Sequence, residues 1–290
     1  MTPQRKATII SSLVAFMLIC VKFSAGILSG SIAILASAID SMLDFCASAF
    51  NFFALSKSEK PACEIFNYGR GKIESLACVV EGSIILVSAI FIIYQSIKKL
   101  LINEPLAQMD LSIIIMCFSL VVTIALVLYL NFIAKKSGNL VIKADALHYK
   151  SDILSNGAVL ISLLLVKFSG FSAIDGIFGL LIGAYIGYCA ITLLNDGVLE
   201  LLDRSLDSNK VEQIKQILDS NKEVISYHHL KTRQSAGANF VEVHLVLDGK
   251  ISLESAHNIA DGIEKDIKAI KDLNQNWFVI THLDTYNDEG

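Results

Sequence analysis

The chain has 290 residues, 53% of them hydrophobic and only 18% charged, with a mean hydropathy of +0.57. A soluble protein of this size is rarely so apolar, and a net charge of −4 with a pI near 5.9 leaves no basis for nucleic-acid binding. Residues 7 to 200 hold long apolar runs, whereas the chain from Asp203 onward has the Lys, Asp and Glu content of a soluble domain. This contrast predicts an all-α transmembrane domain over residues 1–205 and a soluble domain over 206–290.

The N-terminus, MTPQRKATII, lacks a small-residue cleavage site after its apolar run, and that run is too long for a signal peptide. It is read as a retained first span, Ala7–Leu28. A short turn at Gly30 leads to span two, Ile32–Leu55, which carries Asp40 and Asp44. A polar loop follows, Ser56–Lys72, with Pro61, Gly69 and Gly71 as breakers. Span three is expected over Ile73–Leu101, with Glu74 and Glu81 in its first turns. The loop Asn103–Asp110, span four (Leu111–Ala134) and a basic turn (Lys135–Asn139) come next. Span five, Leu140–Phe168, contains Asp145, His148 and Asp152. A turn over Gly170–Gly176 and span six, Ile177–Leu202, complete the set. Six spans of about 20 or more residues fit a bilayer with modest tilt.

Lys and Arg near the span ends set the orientation. One side holds Arg5, Lys6, Lys57, Lys60, Arg70, Lys72, Lys135, Lys136, Lys143 and Arg204. The other holds Lys22, Lys98, Lys99 and Lys167. Both termini and the soluble domain are therefore expected in the cytoplasm. Of the six cysteines, Cys20, Cys46, Cys63, Cys78, Cys117 and Cys189, none forms a CxxC pair and all but Cys63 fall in apolar runs. They read as small hydrophobes, not as a disulfide framework.

The soluble domain reads helix, strand, strand, helix, strand, an αββαβ order that suggests a small α+β sandwich. The expected elements are helix Asn209–Ser220, strand Val224–Arg233, strand Asn239–Leu247, helix Leu253–Ile270 and strand Trp277–Asp284. Val241, Val243, Leu245 and Leu247 make one wholly apolar face of the second strand, so His244 points away from the core.

Chemistry concentrates in spans two and five. Asp40 and Asp44 are four residues apart, as are His148 and Asp152, so each pair shares a helix face. Asp40, Asp44, Asp145 and Asp152 left uncompensated cost roughly 10 kcal/mol on insertion scales, so such residues usually mark a pathway or a site. Asp145, near Lys143 and one turn into its helix, is the exception and reads as a helix-end carboxylate. The basic residues deep in the spans are Lys22 and Lys150. Lys150 faces nearly opposite to His148 and Asp152, and Lys22 sits toward the far end of span one, so the expected counter-charge is a bound metal cation. Three carboxylates and one imidazole suit Zn(II), Cd(II), Fe(II), Co(II) or Mn(II) better than Ca(II) or Mg(II). Binding requires neutral His148, so protons compete with metal.

SAIDSMLD and ADALHYKSD resemble the two signature segments of the cation diffusion facilitator family. The six-span order and the C-terminal α+β domain match as well, so the resemblance covers nearly the whole chain, most closely the bacterial zinc and ferrous-iron efflux members. It implies a transport site at Asp40, Asp44, His148 and Asp152. It also implies a homodimer that exports divalent cations, Zn(2+) or Fe(2+), by proton antiport and alternating access. The implied setting is a bacterial inner membrane crossed several times, with no enzymatic activity and no prosthetic group. YHHLKTRQSA, VEVHL, SAHNIAD and THLD resemble the family's metallochaperone-like cytoplasmic segments that bind two regulatory ions. Carried over, those ligands are His228, His244, His257, His282 and Asp284, with Asp284 able to bridge. His229 falls where the family has no ligand, and Leu283 replaces a polar residue. In the loop CEIFNYGRGK, positions that hold ligands in relatives fall at Cys63, Phe66 and Arg70, so a third site is expected to be absent, with Cys63 and Glu64 at most capturing metal loosely. The resemblance also implies a charge interlock between Lys72 and Asp203.

Two other function classes fit less well. A membrane-anchored metal sensor or scaffold needs only the cytoplasmic histidines, not a ligand quartet within the spans. An intramembrane aspartyl protease needs a GxGD-type motif, and none occurs.

Overall fold

The computed structural model describes residues 2–29, 32–102, 110–169, 173–271 and 276–286. The expected turn at Gly30, residues 103–109 of the expected loop Asn103–Asp110 and residues 170–172 of the expected turn Gly170–Gly176 lie outside the described residues, and Ala173–Gly176 is already helical. The chain divides into two compact units, Met1–Val198 and Leu199–Gly290.

Among the described residues, six long helices build the first unit: α1 (Pro3–Ser29), α2 (Ile32–Ser58), α3 (Lys72–Ile102), α4 (Asp110–Ser137), α5 (Leu140–Ser169) and α6 (Ala173–Leu201). By length and composition, five segments among the described residues can cross a membrane: Pro3–Leu28, Ser37–Ser58, Lys72–Lys98, Ile114–Ser137 and Gly176–Leu201. Only 22–33% of each segment's most apolar window is buried within the protein. The outward faces are therefore apolar, with Leu13, Phe23, Val87, Val121 and Leu181 all exposed, as a lipid contact requires and a water contact does not. The first half of α5 carries four charged residues, Lys143, Asp145, Lys150 and Asp152.

α5 is also the helix around which the others pack. Ile142, Ala146 and Tyr149 join Ala7, Leu55, Leu126 and Leu130 in one buried cluster. Ala144 joins Cys78, Ile85, Ala89, Ile186, Ala190 and Leu193 in another. α3 and α6 approach closely through small residues. A Cβ built on Gly183 would stand 2.7 Å from Ile93 Cγ1 and 3.3 Å from the Ala89 carbonyl oxygen. Small residues at a helix contact let backbones come together where lipid supplies no hydrophobic drive. Gly183→Val should therefore destabilise the unit by about 1–3 kcal/mol, read as a lower thermal midpoint in detergent or lipid; an unchanged midpoint would show that the contact is looser than described.

The second unit runs α7 (Ser208–Ser220), β1 (Ser226–Ser235), β2 (Ala238–Val246), α8 (Leu253–Lys268), β3 (Asn276–Asp284), the αββαβ order expected. Ser252 caps α8 by accepting from the Ser255 amide. Ala256, Ala260, Ile263 and Ile267 form its buried stripe, and the last three meet Ile214, Leu218, Val241, Val243, Leu245 and Val279 in one core. The sheet order is β1-β2-β3, with β2 antiparallel to β1 and parallel to β3. Ser235 pairs with Ala238 across the two-residue turn Ala236–Gly237, both at positive φ (47° and 74°). That is the backbone of a type I′ hairpin turn, and it pins the register of β1 on β2.

Candidate metal centres

In the first unit, α2 and α5 bring together Asp44, His148 and Asp152, whose donor atoms lie within 4.8 Å of one another. His148 Nε2 is 3.2 Å from Asp44 Oδ1 and 4.0 Å from Asp152 Oδ2. Asp152 Oδ2 is buried and has no hydrogen-bond partner. A buried carboxylate oxygen is costly in that state and is receptive to a cation or a proton. Asp40, one turn before Asp44, stands outside the three-residue group but lines the same cavity of about 170 Å³ with Asp44 and Asp152. That volume is enough for a cation with several waters.

Two features of this region depart from the sequence reading. Lys22, expected toward the far end of its span, lies in the same cavity, 8% exposed. Its Nζ donates to Ser41 Oγ at 2.8 Å and to the Ser37 carbonyl at 3.4 Å. A resident ammonium thus faces the carboxylates, because α1 and α2 pack side by side and a four-carbon stem reaches across. Asp145 is not a helix-end carboxylate. It is 0% exposed, held by Ser48 Oγ at 3.2 Å and Asn51 Nδ2 at 3.4 Å, while Lys143 pairs with Asp196. Glu81 lies roughly two and a half turns past Lys72 and is 2% exposed. Lys150 turns away as expected and donates to Tyr185 OH at 2.7 Å. Asn156 also lines the cavity. Its signal was present in the sequence, since His148, Asp152 and Asn156 continue one i,i+4 series.

The loop positions of interest make a different structure. Cys63 and Phe66 exchange backbone hydrogen bonds at 3.1 and 3.0 Å, and the Arg70 guanidinium sits 4.4 Å over the Phe66 ring. The backbone amides of Phe66 and then Ile65 hold the exposed Cys63 thiol below the ordinary cysteine value.

In the second unit the sheet register lines up three histidines. His228 pairs with His244 across β1 and β2, and His244 with His282 across β2 and β3. All three lie on the face opposite Val243 and Leu245, because side chains alternate along a strand. Asp284, two residues past His282, shares that face. Its Oδ2 is 2.9 Å from His244 Nδ1 and 3.3 Å from His228 Nε2, and its Oδ1 is 3.2 Å from His282 Nε2. His228, His244 and Asp284 form a group with donor atoms within 4.8 Å. Two imidazoles and a carboxylate are a donor set that suits Zn(II). His257 is on α8, exposed, with Nε2 3.5 Å from Asp261, and is not brought to this group within one chain. His229 is brought near, its ring 5.0 Å from that of His244. The register of β1 shifts by one residue between His228 and Lys231, and His229 has φ +50°. Such a bulge breaks strict alternation and re-aims a side chain.

The two units correspond to two known domains. Residues 8–202 match the cation efflux transmembrane domain, and residues 206–286 match the cytoplasmic domain of cation efflux proteins. The cation-efflux pump FieF of Yersinia enterocolitica is 36% identical over 261 residues, which span 90% of this chain and 87% of that protein. The cation-efflux pump FieF of Shewanella oneidensis is 38% identical over 255 residues, 88% and 86% of the two chains. Among solved structures, the metal-bound C-terminal domain of the CzcD transporter from Thermotoga maritima is similar at 24% identity and a TM-score of 0.26, covering 28% of this chain and 93% of that one. The chain belongs to the cation efflux family of membrane transporters, the cation diffusion facilitators.

Proposed function

We propose that the chain exports a divalent transition cation in exchange for protons, as a homodimer working by alternating access. The cargo site is Asp40, Asp44, His148 and Asp152, and the cargo is Zn(II) or Fe(II), with Cd(II), Co(II) and Mn(II) compatible with the same donors. The single observation that carries this reading is the Asp44–His148–Asp152 group beside a polar cavity, within helices whose outer faces are apolar. A sensor would need only the cytoplasmic histidines. We further read His228, His244, His257, His282 and Asp284 as a cytoplasmic regulatory site, in which the two oxygens of Asp284 face different histidines and can serve two ions. The excess of Lys and Arg at one set of helix ends supports a bacterial inner-membrane protein with both termini in the cytoplasm.

Exchange follows from the donor chemistry. An imidazole ligates metal only when neutral, so cation binding at His148 expels any proton held between it and Asp44. Affinity therefore falls as pH falls, and a proton gradient can drive the cation out. Calorimetric titration of the purified protein in buffers of different ionisation heat should show proton release on cation binding, reduced in His148→Ala. Zero release by the wild type, or equal release by the variant, would remove the coupling.

A further inference from the structure

A second polar cluster is buried between α2, α3 and α5. Asn51 and Asp145 are 0% exposed and Glu81 2%. One amide nitrogen, Asn51 Nδ2, donates to Glu81 Oε2 at 2.9 Å and to Asp145 Oδ1 at 3.4 Å. Ser48 Oγ adds a bond to Asp145 Oδ1 at 3.2 Å and shares one with Tyr149 OH at 2.8 Å. Neither carboxylate hydrogen-bonds to Asp40, Asp44, His148 or Asp152.

This cluster is short of donors. Glu81 Oε1, Asp145 Oδ2 and Asn51 Oδ1 are buried oxygens without a hydrogen-bond partner. Ser11 Oγ, which donates to the Thr8 carbonyl at 3.0 Å, also lies within hydrogen-bond reach of Asp145. The nearby ammonium groups are engaged elsewhere: Lys143 with Asp196, Lys150 with Tyr185 and Lys22 with Ser41. The titratable groups that face the pair are His148 and Tyr149 of α5, with Asp44 and Asp152 beyond His148. Two ionised carboxylates on one neutral amide would repel each other and forgo hydration inside an apolar helix bundle. A single proton relieves both penalties, as in other carboxyl pairs that share one, and it turns one of the partnerless oxygens into a donor.

We propose that Glu81, Asn51 and Asp145 form a proton-binding site buried in the membrane unit, in which the two carboxyls on either side of the Asn51 amide hold one proton between them at neutral pH. Asp145 and His148 are three residues apart on α5 and share a face. The stored proton therefore lies about one turn from the cargo group while remaining separate from it. The site does not depend on cargo exchange: its proton is measurable whether or not the Asp152 group carries a cation.

Infrared spectroscopy of the full-length, metal-free protein in lipid nanodiscs at neutral pH, in water and in D2O, tests this. The wild type should show a protonated-carboxyl band that shifts in D2O. Glu81→Gln and Asp145→Asn should each remove the same component, because either change leaves the other carboxyl without a partner. Asp152→Ala should retain that component. An amide has the shape of a neutral acid, so cation binding to the cargo group should keep its stoichiometry in both variants. The proposal is overturned if the component survives Glu81→Gln, if folded Asp145→Asn removes a different component, or if either variant binds one cation fewer per chain. Should Asp145→Asn not fold, Glu81→Gln decides alone. Failure here leaves the flux of the wild type and its loss in Asp152→Ala untouched, so the two readings fail separately.

Discussion

Asp152→Ala is expected to weaken cation binding at the membrane site by about 100-fold or more, beyond the 10- to 100-fold typical of groups that merely orient a ligand. Asp152 supplies an oxygen with no other bond to lose, buried and 4.0 Å from His148 Nε2. Its removal leaves Asp44 and His148 as the close pair, with Asp40 one turn away and the Lys22 ammonium in the same cavity. An incomplete donor set facing a resident positive charge holds a divalent cation poorly. Folding should be little affected, because α5 packs through Ile142, Ala146 and Tyr149, whereas the Asp152 side chain is one-third exposed to the cavity. A thermal midpoint within a few degrees of wild type, together with lost binding in calorimetry, is the expected pair of results. Lost folding would instead make Asp152 structural.

The second large effect is expected in the second unit. In an Asp152→Ala background, the full chain should still bind about two Zn(II), the stoichiometry of a site bridged by one carboxylate. Adding His244→Ala and Asp284→Ala together should abolish that binding. His244 is the middle histidine of the row, and Asp284 is the residue that faces His228, His244 and His282. Both project from the sheet face opposite the core of Val241, Val243 and Leu245, so the sheet itself should persist. Zinc binding that survives both changes would mean that the histidine row is not the metal site.

Much of this architecture is readable in the chain, and the misreadings have physical causes. The alternation in NFVEVHLVL gives the buried face of β2 directly. It does not give the parallel pairing of β3 with β2, which sets His282 beside His244 and Asp284 within reach of both. The doublet His228–His229 reads as one ligand and one bystander, and the bulge brings the His229 ring near His244 while leaving it outside the donor group. In the membrane unit the i,i+4 pairs are local and therefore visible. The surroundings of Lys22 are hidden in the sequence because its partners on α2 are 15 and 19 residues away, and only helix packing brings them close. Asp145 misleads for the opposite reason. Lys143 is adjacent in sequence but reaches Asp196, and the carboxylate turns inward to Ser48 and Asn51.

Cation flux is the most direct test of export. Inside-out membrane vesicles carrying the full-length protein, given a pH gradient acid inside, should accumulate zinc or ferrous ion. Accumulation should collapse when the gradient is dissipated, and the same vesicles carrying Asp152→Ala should show none. Wild-type vesicles that take up none of Zn, Fe, Mn, Cd or Co would contradict the export reading, and uptake by Asp152→Ala equal to wild type would contradict the assignment of the site.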